Sequence, residues 1–217
     1  MLKVEDVTVK ISAYTILRGL TIEVPTGSIV ALVGRNGAGK TTTLRTIMGL
    51  VSLTKGKIQL DGDDLGPIPP HERAKLGIGY LPEDRRLISG LTVEENLMIP
   101  SQAIGLADNE SRIETIYRLL PEVKAVANRK AVDLSGGQQK MVALGRSFVN
   151  AKKLLLLDEP FEGLSMALCR KLAEVIHQFQ KAEPSLSVLV AESDLKRAAI
   201  LTQKSYVIER GEVVEGA

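Results

Sequence analysis

The sequence is poor in aromatic residues. Phe, Trp and Tyr make up 3% of its 217 residues, and Trp is absent. Proteins that bind single-stranded nucleic acid without sequence preference stack bases on aromatic rings, so this composition argues against that class. Basic residues number 28 and acidic residues 26, which leaves a net charge of +2. This balance offers no electrostatic argument for a nucleic-acid partner, and we expect none.

Cysteine and long apolar runs are also scarce. A single cysteine, Cys169, excludes an internal disulfide, and its helix-like surroundings favour a buried structural thiol over a nucleophile. The N-terminus has early acidic residues and lacks the apolar region of a secretory signal. The longest apolar runs, such as Leu154–Leu157, are far too short to cross a membrane. We therefore expect a cytoplasmic chain or one that lies peripherally on the cytoplasmic side of the cell membrane.

A glycine-rich segment matches the phosphate-binding pattern G-x-x-x-x-G-K-[ST] at every fixed position. It follows the apolar run Ile29–Val33, typical of a buried strand, and precedes a helical stretch at Thr42–Leu50. Its glycines let backbone N–H groups point at phosphate oxygens. Lys40 is placed to reach the outer phosphates and Thr41 to hold Mg²⁺, so the segment predicts binding of a nucleoside triphosphate. The predicted cofactor-binding residues here are Gly34, Arg35, Asn36, Gly37, Ala38, Gly39, Lys40, Thr41 and Thr42.

Strand and helix signals alternate along the chain. Alternating apolar and polar residues predict half-buried strands at Leu2–Val9 and Leu20–Val24, and helical signals run from Thr92 to about Val149. The prediction is an α/β fold: a P-loop NTPase core with a mostly parallel sheet, an N-terminal antiparallel β patch and a helical insert. Further strands are predicted at Lys57–Leu60, Ile78–Leu81, Leu154–Leu157, Ser187–Ala191 and Tyr206–Ile208, with helices at His71–Leu76, Leu168–Lys181 and Leu195–Leu201.

A second glycine-rich motif, Leu134–Gln138, begins a predicted helix, with Asp133 and Ser135 as candidate N-caps. Such a helix start exposes N–H groups and a positive dipole end, which suit a γ-phosphate. Alone it is a common helix start. Together with the P-loop and the strand that ends in Leu154–Pro160, it makes the chain resemble ATP-binding cassette (ABC) ATPases over essentially its whole length. The nucleotide-contacting residues of this signature motif would be Ser135, Gly136, Gly137 and Gln138.

The resemblance implies ATP and Mg²⁺ as cofactors. Asp158 would bind Mg²⁺ or its water shell beside Thr41, and Glu159 would activate the attacking water. A head-to-tail dimer would place the signature motif of each subunit against the ATP held by the other. The whole chain, 1–217, would be one ABC ATPase domain, with a nucleotide-binding core at 1–82 and 150–217 and a helical subdomain at 83–149.

The sequence more closely resembles the uptake subfamily for branched-chain amino acids and related solutes such as amides or urea. This resemblance implies integral membrane permease subunits, an extracytoplasmic solute-binding protein, and a homodimer or a heterodimer with a sister ABC ATPase. Asp84–Leu97 falls where such ATPases meet the permease, although Arg85 and Arg86 could equally be a solvated basic pair. The residues that carry the resemblance are Gly34–Thr46, Leu81–Leu87, Leu91–Leu97 and Leu144–Arg146.

Four positions depart from the wider family. Glu83 stands where most members have a glutamine that contacts Mg²⁺ and the attacking water, and a glutamate remains an oxygen ligand. The adenine-stacking tyrosine is missing: its place falls at Ile11, and Tyr14 is a nearby substitute. Ser165 replaces an aspartate that links the two ATP sites. Ser193 stands where the wider family has a histidine that touches the γ-phosphate.

These departures leave two functional hypotheses. A serine cannot carry the positive charge of a histidine, so we expect slow hydrolysis by the ATP-hydrolysing subunit of a membrane importer. The alternative is a nucleotide-gated dimerising module with vestigial hydrolysis, suggested by Ile11, Ser165 and Ser193. The retained Glu159 argues against this alternative, because a pure binding module has no need of that carboxylate.

Overall fold

The computed structural model describes residues 1–105 and 109–216, which form two β-sheets and the helices packed on them. The strands are β1 (Leu2–Ile11), β2 (Tyr14–Val24), β3 (Ile29–Val33), β4 (Lys55–Leu60), β5 (Asp63–Asp64), β6 (Ile78–Leu81), β7 (Leu154–Asp158), β8 (Ser187–Glu192), β9 (Ser205–Glu209) and β10 (Glu212–Gly216). The helices are α1 (Lys40–Ile47), α2 (Pro70–Lys75), α3 (Val93–Ile104), α4 (Asn109–Leu119), α5 (Pro121–Lys124), α6 (Gly136–Asn150), α7 (Met166–Ala182) and α8 (Leu195–Leu201), with a 3-10 turn at Ala131–Asp133.

The smaller sheet is antiparallel, with strand order β2-β1-β4-β5, which confirms the predicted N-terminal patch. It is longer than expected, because β2 begins at Tyr14 and not at Leu20. The register between β1 and β2 shifts at several points, for example between Val4 and Val7. Each shift breaks the alternation of buried and exposed residues, so the first half of β2 lacks the pattern by which a strand is recognised.

The larger sheet has the order β10-β9-β3-β8-β7-β6. Its strands β6, β7, β8, β3 and β9 run parallel and β10 pairs antiparallel at the edge, which confirms the predicted mostly parallel sheet. Every residue of β3, β7 and β8 is buried, since both faces are covered. Register pairs Val33 with Glu192 and Asp158 with Ala191. The carboxyl ends of these three strands therefore meet at one edge of the sheet, where ligands bind in open α/β sheets.

Two apolar clusters form the core. One lies between the two sheets and includes residues of α1, and the other joins the larger sheet to α6 and α7. In the second cluster the rings of Phe148 and Phe179 stack with centroids 4.1 Å apart. Gly79 allows α6 to approach the sheet, because a Cβ there would lie 2.2 Å from the Ser147 carbonyl oxygen. Cys169 is buried in this cluster, as expected.

The insert predicted as helical from Thr92 to Val149 divides into α3, α4, α5 and α6; residues 106–108 lie outside the described residues. A capping box starts α3: Thr92 Oγ1 accepts from the Glu95 N–H, and Glu95 accepts from the Thr92 N–H. Asn96 is fully buried and hydrogen-bonds both backbone groups of Ile88, so the loop before α3 is held to the helix. The subdomain boundaries at residues 83 and 149 stay a prediction.

Candidate active site

A tight loop joins β3 to α1 at the carboxyl edge of the larger sheet. Gly39 caps α1 with φ of 116° and Gly37 has φ of 81°, backbone conformations that favour glycine. Gly34 lies against β9, where a Cβ would come within 2.4 Å of the Ile208 carbonyl oxygen. A cavity of about 430 Å³ opens in front of the loop and is lined by the loop, by Ile16, and by acidic residues from two other segments. The loop therefore has the shape that its sequence pattern predicted.

Lys40 is buried at the base of this cavity, with 5% of its surface exposed. Its Nζ donates to the carbonyl oxygen of Gly34 at 2.7 Å and to that of Arg35 at 3.3 Å. The same Nζ lies 3.1 Å from Oε1 of Glu159, which comes from the end of β7. The structure thus brings together the cation expected to bind phosphate and the carboxylate expected to activate water.

Thr41 and Asp158 meet beside this pair. Thr41 Oγ1 donates to Asp158 Oδ1 at 3.0 Å, and Asp158 is 1% exposed. Burial, with smaller contributions from the Glu83 and Glu159 carboxylates, raises the pKa of Asp158 to about 6. Within residues 1–105 and 109–216, Oδ2 of Asp158 has no hydrogen-bond partner. A buried carboxylate oxygen without a donor, next to a hydroxyl, fits a hard divalent cation.

A cation here would need oxygens from the nucleotide. Among the described residues, no group of three or more His, Cys, Asp or Glu side chains could hold a metal by itself. Mg²⁺ is usually bound by one or two carboxylates together with substrate phosphates, so the Thr41–Asp158 arrangement suits it. Glu83 is exposed and lines the same cavity, within electrostatic range of Asp158. The residues present therefore fit Mg²⁺ brought in with a triphosphate.

Glu159 has an unusual backbone. Its φ is 48°, which is uncommon for a residue with a side chain, and such conformations cluster at functional sites. Its Oε2 accepts two hydrogen bonds from Ser193, from the backbone N–H at 3.1 Å and from Oγ at 3.1 Å. Its own N–H donates to the Ala191 carbonyl oxygen. The end of β8 therefore fixes both the backbone and the carboxylate of Glu159.

The signature motif begins α6 on a different surface. Ser135 is the N-cap: its Oγ accepts from the Gln138 N–H at 3.3 Å, and Gln138 Oε1 accepts from the Ser135 N–H at 3.0 Å. The second candidate cap, Asp133, lies in the 3-10 turn before the helix. In the part of the chain that the structure describes, Ser135, Gly136, Gly137 and Gln138 do not line the cavity in front of the P-loop.

Sequence comparison agrees with this geometry. The family model described as "ABC transporter" matches residues 17–162. The chain belongs to the ABC transporter family. It is an ATP-binding subunit of an ABC transporter, an ATPase that hydrolyses ATP to drive transport. This establishes the predicted family and the predicted enzyme class.

Several curated relatives align along nearly the whole chain. The "High-affinity branched-chain amino acid transport ATP-binding protein BraG" of Pseudomonas aeruginosa is 34% identical and covers 99% of the chain and 91% of its own length. A "Probable branched-chain amino acid transport ATP-binding protein LivF" of Archaeoglobus fulgidus is 36% identical over 95% of the chain and 89% of its length. The "Lipopolysaccharide export system ATP-binding protein LptB" of Haemophilus influenzae is 30% identical over 99% of the chain and 89% of its length.

Solved ABC cassettes share the fold. A dimeric bacterial ABC transporter cassette superposes with a TM-score of 0.87 at 26% identity, covering 100% of this chain and 98% of its own. An ATP-binding subunit of an ABC transporter gives the same TM-score, 0.87, at 28% identity, and covers 100% of this chain and 89% of its own. Of the helices in the described residues, none has the length and apolar character needed to span a membrane.

The two candidates for the adenine contact lie apart from the cavity of this ABC ATPase. Ile11 and Tyr14 pair with each other across the β1–β2 turn and are 45% and 75% exposed. The residue of β2 that lines the cavity is Ile16. The sequence did not indicate Ile16, because register shifts between β1 and β2 decide which side chains of β2 point inward.

Sequence reasoning also missed two buried ionisable residues next to Glu159. Lys140 of α6 is 3% exposed, and its Nζ donates to the carbonyl oxygens of Glu159 at 2.9 Å and Glu162 at 2.7 Å. Glu192 at the end of β8 is 0% exposed, and its Oε1 accepts from the Phe161 N–H at 3.0 Å. Burial lowers the pKa of Lys140. Burial, with the nearby Glu159 carboxylate, raises the pKa of Glu192 to about 8.

Proposed function

We propose that this ATPase powers a membrane importer for branched-chain amino acids or a related small solute such as an amide or urea. The proposal is supported by the two relatives named for branched-chain amino acid transport, at 34% and 36% identity over nearly the whole chain. Two contacts carry the ATPase part. Lys40 and Glu159 form an ion pair in the cavity in front of the P-loop, and Thr41, which lines the same cavity, donates to the buried Asp158.

In the proposed reaction, the triphosphate takes the place of the Glu159 carboxylate as the partner of Lys40. The loop N–H groups would bind the phosphate oxygens. Thr41, Asp158 and Glu83 would hold Mg²⁺, which neutralises charge on the phosphate oxygens. Glu159, no longer paired with Lys40, would accept a proton from the attacking water while Ser193 holds its Oε2. Ser193 would contribute a neutral hydrogen bond and no positive charge near the γ-phosphate, which is a reason for slow turnover.

We propose that ATP-bound subunits associate head to tail, either two copies of this chain or this chain and a sister ABC ATPase. The N-terminus of α6 is exposed and lies outside the cavity, so a second subunit could supply the γ-phosphate contact from Ser135–Gln138. A solved relative at 26% identity is a dimeric cassette. Ser165, at the position expected to link the two sites, caps α7 by accepting from the Leu168 N–H.

The proposed assembly lies peripherally on the cytoplasmic side of the cell membrane, against integral permease subunits that receive solute from an extracytoplasmic binding protein. The proposed contact is the segment after Glu83. Arg85 and Arg86 there both have positive φ, and Arg146 of α6 donates to both of their carbonyl oxygens. Arg86 also pairs with Asp84. The segment that contains Arg85 and Arg86 is thus hydrogen-bonded to the signature helix, so a movement of this segment would be transmitted to α6.

An uptake assay tests the solute. Cells that lack this chain are compared with cells in which the wild type or Glu159→Gln is restored, using labelled leucine, acetamide and urea. We expect one of these uptakes to require the wild type and to be absent with Glu159→Gln. The relative from a lipopolysaccharide export system suggests export as a second candidate. Unchanged uptake of all three solutes, together with a loss of surface lipopolysaccharide, would favour that export function and overturn the importer.

A further inference from the structure

The turn that carries the proposed base is held from two sides by buried ionisable side chains, one a cation and one a carboxyl group. This turn, Glu159–Glu162, follows β7 and is closed by a hydrogen bond from the Glu162 N–H to the Glu159 carbonyl oxygen. Lys140 Nζ reaches both of its end carbonyls, at 2.9 and 2.7 Å. Glu192 Oε1 accepts from the Phe161 N–H inside it at 3.0 Å. One cation and one carboxyl therefore hold four consecutive residues.

Lys140 links this turn to the signature motif. It lies on α6, five positions after the N-cap Ser135, so the helix that begins with the signature motif is bonded directly to the backbone of Glu159. A buried ammonium group makes this contact at a desolvation cost, which the two carbonyls and the nearby carboxyl groups of Glu162 and Glu159 offset. Displacement of α6 along its axis would therefore pull on the two carbonyls that define the turn.

Glu192 links the same turn to the edge of the larger sheet. Its Oε1 holds the Phe161 N–H, and the next residue, Ser193, donates twice to Glu159 Oε2. The charged groups that face Glu192 are Glu159 at the end of β7, Lys140 of α6 and Arg197 of α8. Glu192 thus fixes the backbone of the turn, and its neighbour Ser193 fixes the carboxylate of Glu159.

We infer that Lys140 and Glu192 are positioning residues for Glu159, and that through Lys140 the placement of the signature helix α6 sets the placement of the base. Within the described residues, neither side chain lines the cavity in front of the P-loop, so neither is expected to contact the nucleotide. The strained φ of 48° at Glu159 persists only where surrounding groups over-determine the backbone, and these two residues supply that constraint.

A matched control separates positioning from simple structural support. Arg112 of α4 is another largely buried cation that holds carbonyls, those of Phe148 and Ala151, and it also pairs with Glu183. It supports the C-terminal end of α6, lines a different cavity and does not touch the Glu159–Glu162 turn, so it isolates the contact that Lys140 makes with this turn. Removal of either cation should destabilise the fold to a similar degree. Removal of Lys140 alone should affect hydrolysis beyond what the loss of stability explains.

The experiment uses the purified full-length chain and the variants Lys140→Met, Lys140→Arg, Glu192→Ala and Arg112→Met. For Lys140→Met and Glu192→Ala we expect kcat to fall by about tenfold or more, while affinity for a fluorescent ATP analogue stays within about twofold. Lys140→Arg keeps a donor cation and should recover most of the lost rate. Arg112→Met should lower the Tm and leave kcat near the wild-type value.

Amide hydrogen exchange gives a readout that does not depend on activity. Exchange at the Phe161 and Glu162 amides should accelerate by about tenfold or more in Lys140→Met and Glu192→Ala, and should stay unchanged in Arg112→Met. Unchanged exchange in this turn, or a kcat that falls equally in Arg112→Met, would overturn the inference. The assay contains no solute or permease, so its result is independent of whether the importer proposal holds.

Discussion

Nζ of Lys40 lies 3.1 Å from Oε1 of Glu159, with 5% and 8% of the two side chains exposed. The cation of the P-loop is thus neutralised by the carboxylate proposed as the base. A buried ion pair that loses one partner leaves an uncompensated charge, so each residue keeps the other in place until phosphate arrives. We therefore expect ATP binding to have two effects: it should provide an anion for Lys40, and it should free the carboxylate of Glu159.

Glu159→Gln tests this relationship. Glutamine keeps the shape and can still accept from Ser193, but it cannot take a proton from water, so hydrolysis should fall by about 100-fold or more. ATP affinity should stay the same or rise, because Lys40 no longer has a competing carboxylate. The measurements are steady-state hydrolysis and binding of a fluorescent ATP analogue. Glu174→Gln, an equal charge change on α7, is the control and should leave both unaltered. Full activity in Glu159→Gln would remove the residue from the reaction.

Ser193→His tests why turnover is expected to be slow. Ser193 is exposed at the end of β8 and already contacts Glu159, so an imidazole there could reach the cavity and add a positive charge near the γ-phosphate. We expect the variant to hydrolyse ATP faster than the wild type by about threefold to tenfold, within the range of a single charge-assisted contact. The same turnover in both proteins would mean that this position does not limit the rate.

The sequence predicted most of the site because its chemistry depends on local patterns. The P-loop and the residues after β7 are contiguous segments whose context, a buried strand followed by a turn, is visible in the chain itself. Ser135 was likewise one of two candidate N-caps at the glycine-rich start of a predicted helix, and the structure shows that it caps α6. These parts need no knowledge of which strands are neighbours.

Lys140 and Glu192 could not be found in this way. Lys140 follows two glutamines on a helix, a pattern that ordinarily indicates a solvated face, and it is buried only because the Glu159–Glu162 turn folds over it. Glu192 ends an otherwise apolar strand, and its partner Phe161 lies 31 positions away in the chain. Ile16 was missed for a related reason, since β-bulges in the β1–β2 pair determine which face it occupies. In each case the deciding contact is tertiary.

Ile16→Ala tests the assignment of the nucleotide surface. Ile16 lines the cavity, whereas Ile11 and Tyr14 are exposed at the hairpin end. Loss of its partly buried side chain should weaken ATP binding by about threefold to tenfold, which corresponds to the burial of about one to two methylene groups. Ile11→Ala and Tyr14→Ala should each change affinity by less than about twofold. Titration with fluorescent ATP and GTP analogues gives all three values. An aliphatic contact also gives little base selectivity, so the wild type should bind both analogues with similar affinity.

If Tyr14→Ala weakens binding as much as Ile16→Ala does, the tyrosine contacts the base. Such a result would mean that Tyr14 leaves its exposed position and moves over the cavity when nucleotide binds. A strong preference of the wild type for ATP over GTP would point the same way, because an aromatic ring or a specific hydrogen bond would then be needed.

Glu192 should make the stability of the chain depend on pH. Its folded pKa of about 8 lies above the ordinary value of 4.5, so the folded state holds a proton that the unfolded state has lost between these limits. The free energy of unfolding should therefore fall as pH rises from about 5 to about 8, by at most about 1.4 kcal/mol per pH unit for this one group. Burial sets the upper limit of this window first, and the groups that face Glu192, which are Glu159, Lys140 and Arg197, adjust it.

Glu192→Gln isolates this contribution. Glutamine keeps an acceptor for the Phe161 N–H and does not titrate, so the variant should lose the pH slope that Glu192 causes. Denaturant unfolding at several pH values between 5 and 8 should show the variant gaining stability relative to the wild type as pH rises. Glu174→Gln on the exposed face of α7 should show the same pH dependence of the free energy of unfolding as the wild type. If the difference in free energy of unfolding between Glu192→Gln and the wild type stays constant with pH, Glu192 is already ionised at pH 5. Lys140 and Arg197 would then stabilise its carboxylate more strongly than burial and Glu159 destabilise it.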